Sequence, residues 1–421
     1  YAEFASMIPV AGSAYTFTYT TVGEIVAWVI GWDLILEMLM AGSVVSKYWG
    51  VYLNQFFELI GWNINTNIAI GSFNFDLAPV IIVAFFTALL VMGTKIGARV
   101  DGALTILKIA IVVFIVVVGF FYIKAENFTP FIPPSEPAAS TDGSGVSAVM
   151  EQPLWQWATG MAPSIYGVTG IISGAALVFF AFLGFDVVAT ASEETINPKK
   201  NVPLGIGVGL GLIIVLYTLV AIVTTGMVSY KDLAKQSDPS LAVAFKMVGA
   251  DWAAKIISLG IVIGMATVVM VLLLGLTRVV FAMSRDGLLP RGLSHTGKHG
   301  TPVRLQIIVG VVMALIAACC NVGILSDMVN IGTLSAFTLV AISIPIMRKK
   351  RPDLERSFKI PGNPWVPILI ALANLWLMVN LSVLTWIRFV VWLIVGFAIY
   401  FGYGYRHARL GAGELEVAAQ E

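Results

Sequence analysis

The run Gly170-Ile171-Ile172-Ser173-Gly174-Ala175-Ala176-Leu177-Val178-Phe179-Phe180-Ala181-Phe182-Leu183-Gly184-Phe185-Asp186 decides how this chain is read. It is too long and too uniformly apolar for a strand of a membrane barrel, which alternates polarity over about ten residues. With its flanks it covers 168–190, and about 20 apolar helical residues cross the ~30 Å hydrocarbon core of a bilayer. The helix is flawed, however. Gly184 weakens it by about 1 kcal/mol relative to alanine. Asp186 places charge at a depth where charge is expensive, and the chain turns polar at Thr190, Ser192, Glu193 and Glu194. If the helix unwinds at Phe179–Phe185, carbonyls near Phe180–Leu183 lose their intrahelical partners. In lipid that is tolerable only beside protein or a cavity, and such freed carbonyls suit an ammonium group. An ordinary helix with a packing glycine is the competing reading, and these residues alone do not choose between the two.

Nine further segments of similar character lie at about 22–47, 77–95, 102–123, 204–228, 254–283, 303–321, 326–347, 365–385 and 387–405. Hydrophobic residues make up 58% of the 421 and charged residues 12%, with a mean hydropathy of +0.90. Soluble chains carry roughly 25% charged residues, so lipid is the solvent for most of this one. The expected class is an all-α membrane protein, a single transmembrane domain over 1–421 with membrane lipid as its partner. A net charge of +1 and the lack of a basic tail or aromatic–basic stretch argue against nucleic acid. Cys319 and Cys320 are adjacent, which fits neither a disulfide framework nor a zinc spacing. His295, His299 and His407 fall in loops, and no metal site is expected. No phosphate-binding loop, zinc-protease helix or hydrolase nucleophile elbow is present, so the chain does not read as an enzyme.

Basic residues set the orientation. With the turn at 95–99 taken as cytoplasmic, that side collects 17 of the 25 Lys and Arg, the opposite side 7, and Lys108 lies inside a span. Both ends of the chain are then cytoplasmic, including the short tail 406–421. The longest loop, 125–166, is outside. Its low-complexity middle around Pro133–Gly145 reads as a passive insertion, with Trp155 and Trp157 as headgroup-level anchors. Asp232–Asp251 is amphipathic and is expected along the outer surface. The opening Tyr1-Ala2-Glu3-Phe4-Ala5-Ser6-Met7-Ile8-Pro9 reads as the end of a helix stopped by proline, as if the sequence began partway through a longer protein.

Three ionisable features stand out inside the spans or at their ends. Lys108 lies six residues into its span, about 9 Å deep. It either snorkels to the surface or faces the bundle, where desolvation would let it release a proton during a cycle. Asp33 and Glu37 are four apart on one face of the first span, serving either interhelical hydrogen bonding or proton relay. Glu193 and Glu194 in one cytoplasmic loop, and Arg278 and Arg285 in another, are candidates for a cytoplasmic gate or are simply screened surface charges.

Glu193-Glu194-Thr195-Ile196-Asn197-Pro198-Lys199-Lys200-Asn201-Val202-Pro203, with the preceding Phe179–Asp186, resembles the sixth-helix signature of the amino acid–polyamine–organocation superfamily. It is most similar to bacterial members of the cationic amino acid transporter family. Arg278-Val279-Val280-Phe281-Ala282-Met283-Ser284-Arg285-Asp286-Gly287-Leu288-Leu289-Pro290 resembles that family's eighth helix, and Asn330-Ile331-Gly332-Thr333-Leu334-Ser335-Ala336-Phe337 its tenth. The resemblance implies a LeuT-type fold of two inverted five-helix repeats. The ten spans would be family helices three to twelve, with the first two missing from this sequence and with them the carboxylate-binding half of the site. It further implies that carbonyls of Phe180, Ala181 and Leu183 receive a substrate ammonium, that the Phe180 ring acts as a gate, and that Met270 faces the substrate side chain. Lys108 matches the lysine whose amine replaces sodium in proton-coupled relatives. Asp33, Glu37 and Asp186 remain candidates for coupling or interhelical pairing. The apolar Met270 points to a small neutral, alanine-like L-amino acid, moved by proton symport in the bacterial plasma membrane, with protons as coupling ion and no cofactor. Exchange and cationic amino acid uptake are the alternatives within transport. A membrane receptor for amino acids is the alternative outside it, disfavoured by the lack of a sizeable soluble signalling domain.

Overall fold

A computed structural model describes residues 1–7, 13–62, 64, 66–70, 73–93, 98–138, 146–162, 164–190, 195–236, 239–297, 301–353 and 356–408. Two short helices, α1 (Ala2–Met7) and α2 (Ser13–Thr21), precede the long α3 (Glu24–Leu59). A hairpin of β1 (Asn67–Ile70) and β2 (Phe73–Asp76), with Asn67 opposite Asp76, leads into α4 (Leu77–Val91) and α5 (Ala98–Phe120). The next connection holds a 3-10 turn (Ala125–Phe128), α6 (Val146–Glu151), α7 (Leu154–Thr159) and the two-residue ladder β3 (Glu136–Pro137) with β4 (Ser164–Ile165). There follow α8 (Gly167–Val178), α9 (Phe185–Thr190), α10 (Pro198–Met227), α11 (Tyr230–Ala234), α12 (Leu241–Met247) and α13 (Asp251–Arg285). The chain ends with α14 (Val303–Cys319), α15 (Val322–Lys350), α16 (Trp365–Val379) and α17 (Val383–Ile399), which runs through a π-helical turn (Tyr400–Gly404) into α18 (Tyr405–His407).

Six helices among the described residues are long and apolar enough to cross a membrane, and four shorter apolar helices occupy the remaining expected segments. Burial sorts them. The apolar windows of α3 and α15 are 78% and 72% buried inside the protein, those of α5 and α10 only 11%. The first pair forms the middle of the bundle and the second its lipid-facing wall. This follows from sequence. α3 carries Asp33 and Glu37, both fully buried, and lipid offers a charged group nothing to pair with. α5 and α10 present large apolar side chains outward, such as Ile106 and Leu204.

Close approach of the central helices depends on small residues, the usual device where lipid supplies no hydrophobic drive between helices. A Cβ on Gly31 of α3 would stand 2.7 Å from Met283 Sδ, and one on Gly275 of α13 would stand 3.1 Å from Met38 Sδ. The flexible thioethers fill the gaps that the glycines leave. Trp28, Trp32 and Trp392 stack in series, and Trp32 Nε1 donates to the Trp392 carbonyl at 2.9 Å, holding α17 to α3.

Three local expectations are revised. α3 continues past 47 to Leu59, because beyond the hydrocarbon its polar residues find partners, including Asn54 Nδ2 donating to Thr66 Oγ1 at 3.0 Å. α10 begins at Pro198 rather than 204: proline serves at the first helical turn, and Asn197 turns the chain with φ 51. Within Asp232–Asp251, α12 is docked rather than laid on the surface, with Phe245 buried in a cluster with Ile115, Val223 and Met227. The described end of the 125–166 loop is bonded to the α16–α17 connection. Leu154 N–H donates to the Leu381 carbonyl and Val383 N–H to the Gln152 carbonyl. Trp155 donates to Asn380 Oδ1 at 2.8 Å and is thus a tie to the end of α16, while Trp157 is half-exposed.

Glu3 in α1 is buried and receives Arg348 Nε at 2.8 Å and Nη2 at 2.6 Å in a fork, and Ile360 N–H at 2.9 Å. Arg356 Nε stands 3.9 Å away. A carboxylate holding two guanidinium groups fastens α1 to the end of α15 and the connection behind it. Removing one partner of a buried pair leaves uncompensated charge, at about 3–5 kcal/mol. Glu3→Ala is therefore expected to lose about 3 kcal/mol of stability, measured by reversible denaturant unfolding in mixed micelles; a loss below about 1 kcal/mol would mean that the guanidiniums are solvated instead.

Candidate functional site

The helix is broken where the sequence places the flaw. α8 ends at Val178, a single 3-10 turn spans Phe179–Phe182, Leu183 is extended (φ −65, ψ 144) and α9 restarts at Phe185. Gly184 has φ +117, and no atom lies within 4 Å of where its Cβ would be. The glycine is needed for backbone conformation, not for space.

Several carbonyls at and before the break meet donors. Phe180 O accepts from Leu183 N–H at 3.1 Å. Ala181 O accepts from Tyr217 Oη of α10 at 2.8 Å. Leu177 O, one turn earlier, accepts from Asn330 Nδ2 of α15 at 2.8 Å. A carbonyl has two lone pairs, so the Ala181 oxygen keeps capacity for a second donor such as an ammonium. Neither Tyr217 nor the side chain of Asn330 was assigned a role from sequence. Asn330 stands out as a fully buried amide in an apolar helix, and Tyr217 gave no comparable signal.

Of the residues expected at a substrate, Phe180, Leu183 and Met270 pack against one hydrophobic cluster with Leu272, Leu276 and Val187. Val187 of α9 and Met38 of α3 both reach Gly275 of α13, so broken helix, central helix and Met270-bearing helix meet there. Phe179 and Phe185 flank Phe337 of α15 at 5.8 and 5.1 Å between ring centroids. Lys108 is partly buried, and its stem covers Gly264 of α13, where a Cβ would come 3.2 Å from Lys108 Cγ. Ile111 covers Gly260 in the same way, so a glycine pair four apart seats α5 on α13. The lysine's stem therefore lies against the helix that carries Met270, six residues or about 9 Å further along.

Asp33 faces the Ser335 hydroxyl. Gly332 of α15 lies against Leu36 and the Asp33 carbonyl, so α3 and α15 touch at the two acids' own turn. Of the expected gate residues, only Arg278 and Arg285 lie among the described residues. Arg278 is half-buried in α13, and exposed Arg285 approaches its neighbour Asp286 at 3.8 Å. Asp286 accepts from Tyr15 Oη of α2 at 2.9 Å. Glu193, Glu194 and the side chain of Asp186 lie outside the described residues. No group of three metal-ligating side chains occurs among the described residues.

A bundle of apolar helices, one broken beside a buried acid pair and a lysine-covered helix, defines a multi-pass membrane protein built around an interrupted helix. The chain belongs to the amino acid permease family, whose model matches residues 1–402, and it is a transporter-class protein rather than an enzyme. It is 41% identical to the branched-chain amino acid permease of Bacillus subtilis (strain 168) over 97% of this chain and 83% of that protein. It is 40% identical to the methylthioribose transporter of the same organism, again over 97% and 83%. A mitochondrial cationic amino acid transporter of Arabidopsis thaliana is 35% identical over 84% of this chain and 54% of its own length.

Gly184→Ala forces a side chain into the left-handed region at an expected cost of about 1–3 kcal/mol, and Tyr217→Phe removes the Ala181 donor at about 1 kcal/mol. Denaturant unfolding in micelles checks both. Losses indistinguishable from zero for both would mean that the break is not held in this form.

Proposed function

We propose that this chain is a proton-coupled symporter of a small neutral L-amino acid, alanine-like in size, working by alternating access in a LeuT-type fold in the bacterial plasma membrane. Both ends of the chain would face the cytoplasm. The observation that carries the reading is the meeting of an interrupted backbone with an apolar wall. Carbonyls of Phe180, Ala181 and Leu183 would receive the ammonium, and Phe180, Leu183 and Met270, which pack against the same hydrophobic cluster, would line a small aliphatic group. A cationic substrate would need an acidic group at the side-chain end, and Met270 offers none. The branched-chain permease among the relatives favours neutral aliphatic substrates; the cationic transporters among them make arginine the necessary competitor.

Lys108 is proposed as the coupling group. Its half-buried stem on α13 places an amine where movement of that helix changes its solvation, and desolvation favours the neutral form. A proton bound in one state and released in the other then takes the place of a sodium ion. Phe180 would close over the substrate, and no cofactor enters the cycle. Asp33, which faces Ser335 of α15, and Glu37 one turn on would serve coupling or interhelical pairing.

In proteoliposomes an inward proton gradient should drive alanine uptake, and Lys108→Ala should abolish that accumulation. Uptake driven by sodium and indifferent to pH would contradict proton symport, and counterflow independent of any gradient would identify an exchanger. In competition, unlabelled alanine and its aliphatic homologues should displace labelled alanine at least tenfold better than arginine; the reverse order would overturn the neutral substrate.

A further inference from the structure

A second cavity, of about 620 Å³, lies on the face that bears the 125–166 loop. Its walls come from parts of the chain far apart in sequence: Glu151 and Gln152 after α6, Asp327 in the first turns of α15, Ser382 before α17, and α8 from Gly170 to Leu177. The α8 contribution is a stripe of Gly170, Ser173, Gly174 and Leu177, spaced for one helix face. A Cβ on Gly174 would meet nothing within 4 Å, so the small residues leave open room along that face. The stripe ends at Leu177, two residues before the 3-10 turn of the broken helix. The cavity thus runs from the loop face down to the upper edge of the break.

Its candidate acceptors are Gln152, Asp327 and Glu151, and the hydroxyls of Ser164, Tyr166 and Ser173 in the lining can accept as well as donate. Gln152 is 7% exposed, lines the cavity, and its Oε1 has no hydrogen-bond partner. A buried amide oxygen left without a donor is costly, which a donor-bearing ligand would relieve. Thr385 Oγ1 donates its one proton to Asp327 Oδ2 at 3.1 Å, so Ser382 must be the donor in its 2.7 Å contact with Thr385. That relay fixes Asp327 as an acceptor and leaves its Oδ1 for a ligand. Glu151 adds a carboxylate at the rim. Asn380 is already used on both sides, accepting from Trp155 and donating to the Trp376 carbonyl. No Lys or Arg is among the described lining residues. Arg388 acts on Asp327 electrostatically from outside the lining, which offsets part of its charge without supplying a donor inside.

We propose that this cavity is an entry site for the ammonium group of an amino solute, held by Gln152 Oε1, Asp327 and Glu151 before the solute passes along the α8 stripe to the break. The occupant follows from the donor–acceptor balance. An ammonium has three donors and no acceptor, and the buried amide oxygen with two carboxylates supplies the complement. A carboxylate group would meet like charge and find no cation. The identification of the solute as the transported amino acid rests on the function proposed above; recognition of the ammonium does not.

Two alanine derivatives separate the groups. Alaninamide keeps the ammonium and lacks the carboxylate; N-acetylalanine keeps the carboxylate and lacks the ammonium. Isothermal titration of each into the protein in lipid nanodiscs, at a pH where alaninamide is protonated, should show binding of alaninamide alone. Gln152→Leu and Asp327→Asn should each weaken it about tenfold or more, the size of one hydrogen bond to a charged group. Glu151→Gln, at the exposed rim, should weaken it by a smaller factor and guards against a variant that fails to fold. Absent alaninamide binding, equal binding of both compounds, or an affinity unmoved by all three substitutions would overturn the site. Wild-type alanine uptake is measured in parallel. Uptake with an unmoved affinity removes this site and leaves the transport reading standing, whereas no uptake with a weakened affinity does the opposite.

Discussion

A helix in lipid has no water to fall back on, so every backbone group it releases must be met by protein. That constraint governs the break at Phe179–Gly184. Phe180 O is met by Leu183 N–H from within and Ala181 O by Tyr217 from α10, while Asn330 of α15 meets Leu177 O just before the break. The two side-chain donors come from opposite parts of the bundle, the lipid-facing wall and the buried centre. The interrupted helix is consequently held by hydrogen bonds from both α10 and α15.

The rest of the architecture serves the same end. α3 is the axis, with glycines taking in Met283 and, across from it, Met38 reaching into a glycine gap of α13. Its Asp33 faces α15, whose Gly332 and Ser335 stand in the turns following Asn330. α15 therefore connects Asp33 with the carbonyl of Leu177, and its far end is fastened to α1 through Arg348 and Glu3. Movement of α15 would be felt at all three points. α13 has a comparable position, meeting Val187 of α9 at Gly275 and bearing the Lys108 stem on Gly264.

Much of this was legible in the sequence, because apolar length and the rarity of buried charge are local signals. The helical segments follow from runs of about 20 apolar residues, and Gly184 with Asp186 in such a run marked where a break could lie, though an ordinary helix with a packing glycine fitted those residues equally well. What escaped was pairing across distance. Tyr217 reaches Ala181 over 36 residues, Asn330 reaches Leu177 over 153, and Arg348 reaches Glu3 over 345. Separations of that size leave no periodicity to read. Glu3 did carry a trace, as a lone acid in an apolar stretch, but its partner lay in a basic run that reads equally well as the cytoplasmic signature of topology. The same ambiguity misplaced α12 and Trp155. An amphipathic segment and a tryptophan look alike in sequence whether they meet a membrane surface or another part of the protein.

The central claim is that the interrupted stretch faces solute and not merely other helices. It is tested by cysteine labelling at Leu183 in a chain whose own thiols, exposed Cys319 and half-buried Cys320, are replaced by serine. Leu183→Cys should react with a membrane-impermeant methanethiosulfonate reagent, and saturating alanine should slow that reaction at least severalfold. A cysteine there that never reacts, or one that reacts at a rate alanine does not change, would contradict the account.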